Sequence, residues 1–157
     1  MNIVEKFINI IGEYISYLIP LMTLLMIIVI VSRYFFGIGQ TGLQELVMYF
    51  HALVFLGCAG YAFNKDEHVR VDIFYRDASD KYKNVINLIF GVIFLLPVAL
   101  IIVFYSIELI SMSWKIRETS TEAGGLGYVF IKKTFIFLFP LTLFAAFINQ
   151  LIKIIWK

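Results

Sequence analysis

The amino-acid sequence predicts an all-α integral membrane protein with four transmembrane helices. Four stretches contain no Asp, Glu, Lys or Arg, and each can cross about 30 Å of hydrocarbon at about 1.5 Å per helical residue. They cover residues 14–32, 46–64, 84–107 and 134–152. Apolar residues make up 61% of the chain and charged residues 15%, which is far from the balance of a soluble domain. Because four crossings and their connections use nearly all 157 residues, we predict one membrane domain, 1–157.

The first predicted span covers residues 14–36 and is preceded by an amphipathic segment. Between residues 3 and 16, apolar side chains recur at helical spacing and polar side chains occupy the opposite face. Two interpretations fit this pattern. The segment is either an interfacial helix lying at the lipid headgroups or a continuation of the first span.

A short glycine-containing connection separates the first span from the second, which is predicted over residues 44–64. Three glycines within residues 37–42 favour a turn. Because the connection is short, the two helices should be antiparallel neighbours. Arg33 then lies at the end of one and Glu45 at the start of the other, and we predict an ion pair between them.

The second span contains four small residues in succession. Gly57, Cys58, Ala59 and Gly60 allow the backbone of another helix to approach closely. We therefore expect this patch to pack against a neighbouring helix.

No cofactor is expected from the sequence. A membrane haem held by two histidines needs both at membrane depth, but His51 is in a span and His68 is in a polar connection. The sequence favours a buried, hydrogen-bonded role or a helix contact for His51. Cys58 is the one cysteine of the chain, so neither a disulfide framework nor a cysteine metal cluster is expected.

The second connection is the most polar part of the chain. Charged residues crowd between positions 65 and 83. Within it His68, Arg70 and Asp72 alternate with apolar residues, so the two sets would face opposite sides of an extended backbone. An ordinary solvated loop is the alternative interpretation.

The third and fourth spans are predicted over residues 84–112 and 130–156. Each contains a proline, Pro97 and Pro140, and we expect Pro97 to kink the third span. Tryptophan and basic residues near the ends of these spans are typical of anchors at the membrane–water interface. The predicted anchors are Trp114, Lys115, Arg117 and Trp156.

The distribution of Lys and Arg predicts that both termini are cytoplasmic. Eight of these residues lie in the two tails and the second connection, against five in the first and third connections. Basic residues at the ends of apolar stretches point to membrane lipids as partners. The net charge of +2 is too small and dispersed to indicate nucleic-acid binding.

The chain carries few residues suited to catalysis or transport. Motifs for nucleophilic, zinc or nucleotide chemistry are absent from the sequence, so we expect no enzymatic activity. Glu45, Glu108 and Gln150 are the polar residues most worth weighing as transport groups. All three can lie toward helix ends, which favours snorkelling or interhelical hydrogen bonds instead.

Several of these segments together resemble the small membrane subunit of tripartite ATP-independent periplasmic (TRAP) transporters, the DctQ-type family. The resemblance rests on residues 33–36 (RYFF), 44–46 (QEL), 53–59 (LVFLGCA) and 68–72 (HVRVD). It extends over essentially the full chain, with four spans and the inferred orientation. This sequence departs from the family pattern at Gln44, where an acidic residue is common, at His51, where a tryptophan is common, and at Gly127-Tyr128, where a proline is often found.

The resemblance implies a bacterial inner-membrane complex for organic-anion uptake. A periplasmic substrate-binding protein would deliver an anion such as a dicarboxylate or sialic acid, and a large DctM-type subunit would carry it inward with sodium. The small subunit would be a static scaffold held against the large subunit. We further hypothesise that this chain helps dock the binding protein through its first and third connections. Residues of the matching segments, together with Gly60 just after the third of them, would then serve the subunit interface or the structure: Arg33, Glu45, Gly57, Gly60, His68, Arg70 and Asp72.

Two other classes of membrane protein also have small helical bundles. A proton-coupled multidrug exporter needs a glutamate in the middle of its first span, and residues 14–32 contain none. A membrane anchor of a respiratory enzyme would bind haem or quinone, which a spectrum of the purified protein would reveal.

Overall fold

The computed structural model describes residues 3–65 and 79–155, which form helices joined by short connections. A π-helical turn, Gly91–Leu95, and a 3-10 turn, Phe135–Phe137, interrupt two of them. Four helical spans are long and apolar enough to cross a bilayer, namely Ile3–Phe36, Thr41–Asn64, Lys81–Lys115 and Val129–Ile154, which confirms the predicted fold class. The helices are α1 (Ile3–Ser16), α2 (Leu18–Phe36), α3 (Thr41–Gly57), α4 (Ala59–Asn64), α5 (Asp80–Phe90), α6 (Leu96–Lys115), α7 (Val129–Thr134) and α8 (Leu138–Ile155).

Spans one to four, numbered in chain order, cross the molecule alternately and so give the bundle two ends. The connection end carries residues 37–40 and 116–128. The terminal end carries the start of α1, the ends of α4 and α8, and the start of α5. Span two begins at Thr41, three residues before the predicted start, and span three is longer than predicted at both ends.

The amphipathic N-terminal segment forms a helix of its own, α1, that is separated from α2 at Tyr17. The break follows from Pro20, which has no N–H to offer to the carbonyl of Ser16 and whose ring crowds that carbonyl. α1 packs against α3, α4 and α8, whereas α2 packs mainly against α3. The N-terminal helix therefore contacts the two spans that form the middle of the bundle.

The prolines of spans three and four each follow a change in helix type. Pro97 lies just after the π-helical turn Gly91–Leu95, and Pro140 just after the 3-10 turn Phe135–Phe137. Each proline removes one backbone donor, so the preceding turn rearranges its hydrogen bonds. Gly91 also permits a close side-chain contact, because a Cβ there would lie 2.7 Å from Cδ2 of Phe147 on α8.

Spans two and four form the centre of the bundle, with span one against span two and span three against span four. A larger share of spans two and four is buried than of spans one and three. The outer spans consequently expose large apolar side chains, such as Leu24 (55%) in α2 and Phe104 (73%) in α6. In water these surfaces would be costly, whereas lipid or another membrane protein can cover them.

The small-residue patch of span two packs against helices of the same chain. A Cβ on Gly57 would lie 2.8 Å from Cδ1 of Ile15 in α1. A Cβ on Gly60 would lie 2.6 Å from the carbonyl carbon of Thr142 in α8. The backbone N–H of Gly60 also donates a hydrogen bond to Thr142 Oγ1 (3.3 Å). The predicted close helix approach is therefore present, and spans two and four meet there backbone to backbone.

Candidate functional site

Glu45, in the second turn of α3, holds the third connection against the start of span two. Its Oε2 accepts a hydrogen bond from the backbone N–H of Leu126 (2.6 Å), and its Oε1 accepts one from the Ser120 hydroxyl. The loop closes on itself, since the N–H of Ser120 donates to the carbonyl of Leu126 (3.0 Å). A Cβ on Gly125 would lie 2.8 Å from Glu45 Oε1, so this part of the loop lies directly on the carboxylate. One side chain thus fixes both sides of a loop turn.

The predicted ion pair between Arg33 and Glu45 is wrong. Among the described residues the Glu45 carboxylate is bonded to Ser120 and Leu126, and Arg33 is exposed in the last turn of α2. The sequence places Arg33 and Glu45 on the same side of the membrane, but it contains no sign that the third connection folds over α3. Once it does, a backbone N–H and a hydroxyl lie closer to the carboxylate than the guanidinium.

A second set of contacts joins the end of span three to the start of span four. Lys133 Nζ lies 2.5 Å from Glu118 Oε2, and Trp114 Nε1 donates a hydrogen bond to Thr134 Oγ1 (2.9 Å). The Trp114 ring also packs edge-on against Phe130, with centroids 4.8 Å apart. These contacts brace the third connection from its other side.

The predicted interfacial anchors occupy different positions in the structure. Trp114 is 43% exposed at the end of α6, and Lys115 is exposed beside it. Arg117 has a φ of 50°, in the left-handed region, and its guanidinium carbon lies 5.7 Å from the centre of the Phe130 ring. A cation over an aromatic face adds to the packing of the loop, so Arg117 contacts the protein as well as its surroundings. Trp156 lies outside the described residues.

The Glu118–Lys133 pair makes the third connection sensitive to acid. The Lys133 ammonium holds the pKa of Glu118 below its ordinary value of 4.5. Because folding lowers this pKa, the stabilisation is present above pH 4.5 and is lost as pH falls through the folded-state value. In a Trp156→Phe background, we expect Trp114 fluorescence to change upon acidification below pH 4.5, and the Lys133→Gln variant to show a smaller change. A transition of equal size in both proteins would contradict the assignment.

His51 faces outward from the middle of span two. It is exposed and stacks on Phe55, with ring centroids 6.2 Å apart and planes 6° from parallel. The expectation of a buried histidine is therefore wrong. Phe55 belongs to the same helix, so the alternative, a contact of His51 with another helix, stays a prediction. His51 belongs to one stripe at spacings of three and four residues, here called the α3 outer stripe, formed by Gln44, Met48, His51 and Phe55, all exposed.

The remaining predicted polar residues do not form one site in the described structure. Glu108 is exposed on α6, and Gln150 lines a cavity of about 380 Å³ with Asn84, Lys153 and Ile154 at the terminal end. A groove of about 480 Å³ between spans three and four has an almost wholly apolar lining that includes Leu100 and Phe144. His68, Arg70 and Asp72 lie outside the described residues. Within residues 3–65 and 79–155, no three His, Cys, Asp or Glu side chains come together as metal ligands.

Sequence reasoning missed the partners of Glu45 and a set of buried amides. Ser120 and Leu126 are 75 and 81 residues from Glu45, and nothing in their local sequence distinguishes them. Asn64 and Asn149, which hydrogen-bond to each other, could have been noticed as carboxamides within charge-free stretches. Pro20 could likewise have indicated the break between α1 and α2.

The chain is an all-helical, multi-pass membrane protein with braced connections at one end and large outward apolar surfaces. Its residues 22–156 match the family model of the DctQ component of tripartite ATP-independent periplasmic transporters, and the chain belongs to this family. The match confirms the resemblance seen in the sequence and makes the chain a component of a transporter. Comparisons with curated proteins and with solved structures gave no significant match.

Proposed function

We propose that this chain is the small permease subunit of a sodium-coupled TRAP transporter, and that it supports a large DctM-type subunit during organic-anion uptake. The observation that carries the proposal is the family match over residues 22–156. The subunit resides in a bacterial inner membrane with both termini in the cytoplasm, as the count of Lys and Arg residues favours. It has no catalytic role of its own.

The scarcity of ionisable groups inside the spans supports a scaffold rather than a carrier. A carrier of anions or sodium needs polar or charged side chains near the middle of the membrane. Here the Asp, Glu, Lys and Arg residues lie outside four long stretches, 14–32, 46–64, 84–107 and 134–152. Substrate and sodium would then bind to the large subunit.

The α3 outer stripe supports contact with another membrane protein. His51 is about 15 Å along the helix from Thr41, at about 1.5 Å per residue, and so lies near the middle of the bilayer. A histidine facing lipid at that depth is costly, because hydrocarbon cannot satisfy its ring nitrogens. A helix of the large subunit packed on this stripe would cover Phe55 and offer His51 a hydrogen-bond partner.

The braced connections support docking of the periplasmic substrate-binding protein. A Cβ on Gly42 would lie 3.1 Å from the carbonyl oxygen of Gly124, so the start of α3 and the third connection are in contact. Glu45 and the Glu118–Lys133 pair hold this connection in place. A pre-ordered surface loses less conformational entropy when a partner binds.

The test is uptake by reconstituted vesicles. We expect no uptake of labelled dicarboxylate or sialic acid by vesicles that contain this chain alone, with or without a sodium gradient. Vesicles that also contain the large subunit should accumulate one of these anions when sodium and the binding protein are supplied. Uptake by the chain alone would refute the scaffold role, and failure of the chain to co-purify with the large subunit would refute the assembly.

The α3 outer stripe provides a matched test of the contact. His51→Ala should reduce co-purification with the large subunit, whereas Glu13→Ala, an exposed change in α1 on another face, should leave it unchanged. Equal co-purification of both variants would remove the stripe from the interface while leaving the scaffold role intact.

A further inference from the structure

At the terminal end of the bundle, an ion pair shows which residues of α1 and α8 lie opposite each other. Glu5 Oε1 accepts from Lys153 Nζ at 2.7 Å. The two helices pack against each other and run in opposite directions. Residues four apart lie on the same side of a helix. Asn9, four residues after Glu5, and Asn149, four residues before Lys153, therefore lie on the facing sides of α1 and α8, one turn further into the bundle.

A third carboxamide reaches the same place from span two. Asn149 Nδ2 donates a hydrogen bond to Asn64 Oδ1 at 3.0 Å, and Asn149 is only 1% exposed. Asn64 ends α4, which packs against both α1 and α8. Because α4 also packs against α1, the register set by the Glu5–Lys153 pair places Asn9 on the side of α1 that faces the Asn64–Asn149 pair.

Some buried polar atoms at this junction lack a hydrogen-bond partner among the described residues. Asn9 Oδ1, Asn149 Oδ1 and Asn64 Nδ2 are buried and have no hydrogen-bond partner within residues 3–65 and 79–155. Two acceptor oxygens and one NH2 group remain. Turning both amides of the Asn64–Asn149 pair round would leave the same set, since one NH2 group and one carbonyl oxygen of the pair would still be unpartnered.

A water molecule matches this inventory, because it can donate two hydrogen bonds and accept one. A metal cation does not, because the Asn64 N–H group would point its positive hydrogen at the ion. Buried polar groups in proteins are normally satisfied by protein or by ordered water.

We propose that Asn9, Asn64 and Asn149 enclose one bound water molecule that links the N-terminal helix to spans two and four. The water donates to Asn9 Oδ1 and Asn149 Oδ1 and accepts from Asn64 Nδ2. Together with the Glu5–Lys153 ion pair it fastens α1 to the bundle. This site does not depend on the transport role of the chain.

A structure of the full chain at a resolution that shows ordered water provides the direct test, with the chain in a lipid nanodisc alone or with its partners. The expected result is a density peak at hydrogen-bond distance, about 2.7–3.2 Å, from all three atoms. Direct hydrogen bonds that satisfy all three atoms, or a junction without the peak, would overturn the proposal.

Unfolding equilibria give an independent test. Asn9→Leu should lower the folded-to-unfolded ratio about tenfold, or about 1.4 kcal/mol, because the other two amides lose their bridge. Asn149→Leu should lower the folded-to-unfolded ratio further. The double variant Asn9→Leu/Asn149→Leu should lower this ratio by less than the two single effects combined. Glu13→Leu, which also replaces a polar side chain of α1 but at an exposed position, is the control and should change the ratio by less than about twofold. A neutral or stabilising Asn9→Leu, or strictly additive effects, would contradict a shared water. If Asn149→Leu does not fold, the Asn9→Leu ratio decides alone.

Discussion

Replacing Gly60 with alanine should separate span two from span four and lower the stability of the bundle by about 1–3 kcal/mol. The new Cβ would lie 2.6 Å from the carbonyl carbon of Thr142, and closer still to its oxygen. Both atoms belong to the backbone of α8, so no side-chain rotation relieves the clash. Alanine also gains about 1 kcal/mol of helix propensity over glycine, and we expect the steric cost to exceed this gain.

The measurement is reversible unfolding of the purified chain in mixed micelles. Gly39→Ala is the matched control, because a Cβ at Gly39 meets nothing within 4 Å. A double variant, Gly60→Ala/Thr142→Ala, should not recover stability, since trimming the Thr142 side chain leaves the backbone contact in place. Wild-type stability of Gly60→Ala would show that α4 and α8 do not approach as closely as described.

Removing the Glu45 carboxylate should release the third connection. Glu45→Ala leaves the Ser120 hydroxyl and the Leu126 N–H without the acceptor that now holds them. We expect hydrogen exchange at the Leu126 amide to become about tenfold faster or more, because its N–H loses its acceptor and the loop opens more often.

Two variants separate the role of Glu45 from a general effect of charge. Glu122→Ala removes an exposed carboxylate from the same connection and should leave Leu126 exchange unchanged. Glu45→Gln retains one carbonyl acceptor, so its Leu126 exchange rate should fall between those of wild type and Glu45→Ala. If the third connection docks partners, co-purification and uptake should follow the same order. Unchanged exchange in Glu45→Ala would remove Glu45 as the organiser of the loop.

The sequence by itself determined that the chain is a membrane bundle with four spans. A charge-free stretch near 20 residues long can be recognised from consecutive residues alone, because it has the length and the low polarity that a helix needs to cross the hydrocarbon. Local rules also predicted the close approach at Gly57 and Gly60.

The tertiary structure alone decided which groups meet. The order of helices, with spans two and four in the centre, followed from packing between distant parts of the chain. Glu45 bonds to a loop about 80 residues away, not to Arg33, and His51 faces outward although its neighbours in sequence are apolar. The hydropathy of a helix predicts that it inserts into the membrane, but it does not specify the rotation of the helix about its axis or which helices it packs against. Those depend on the fit of side chains that are far apart along the chain.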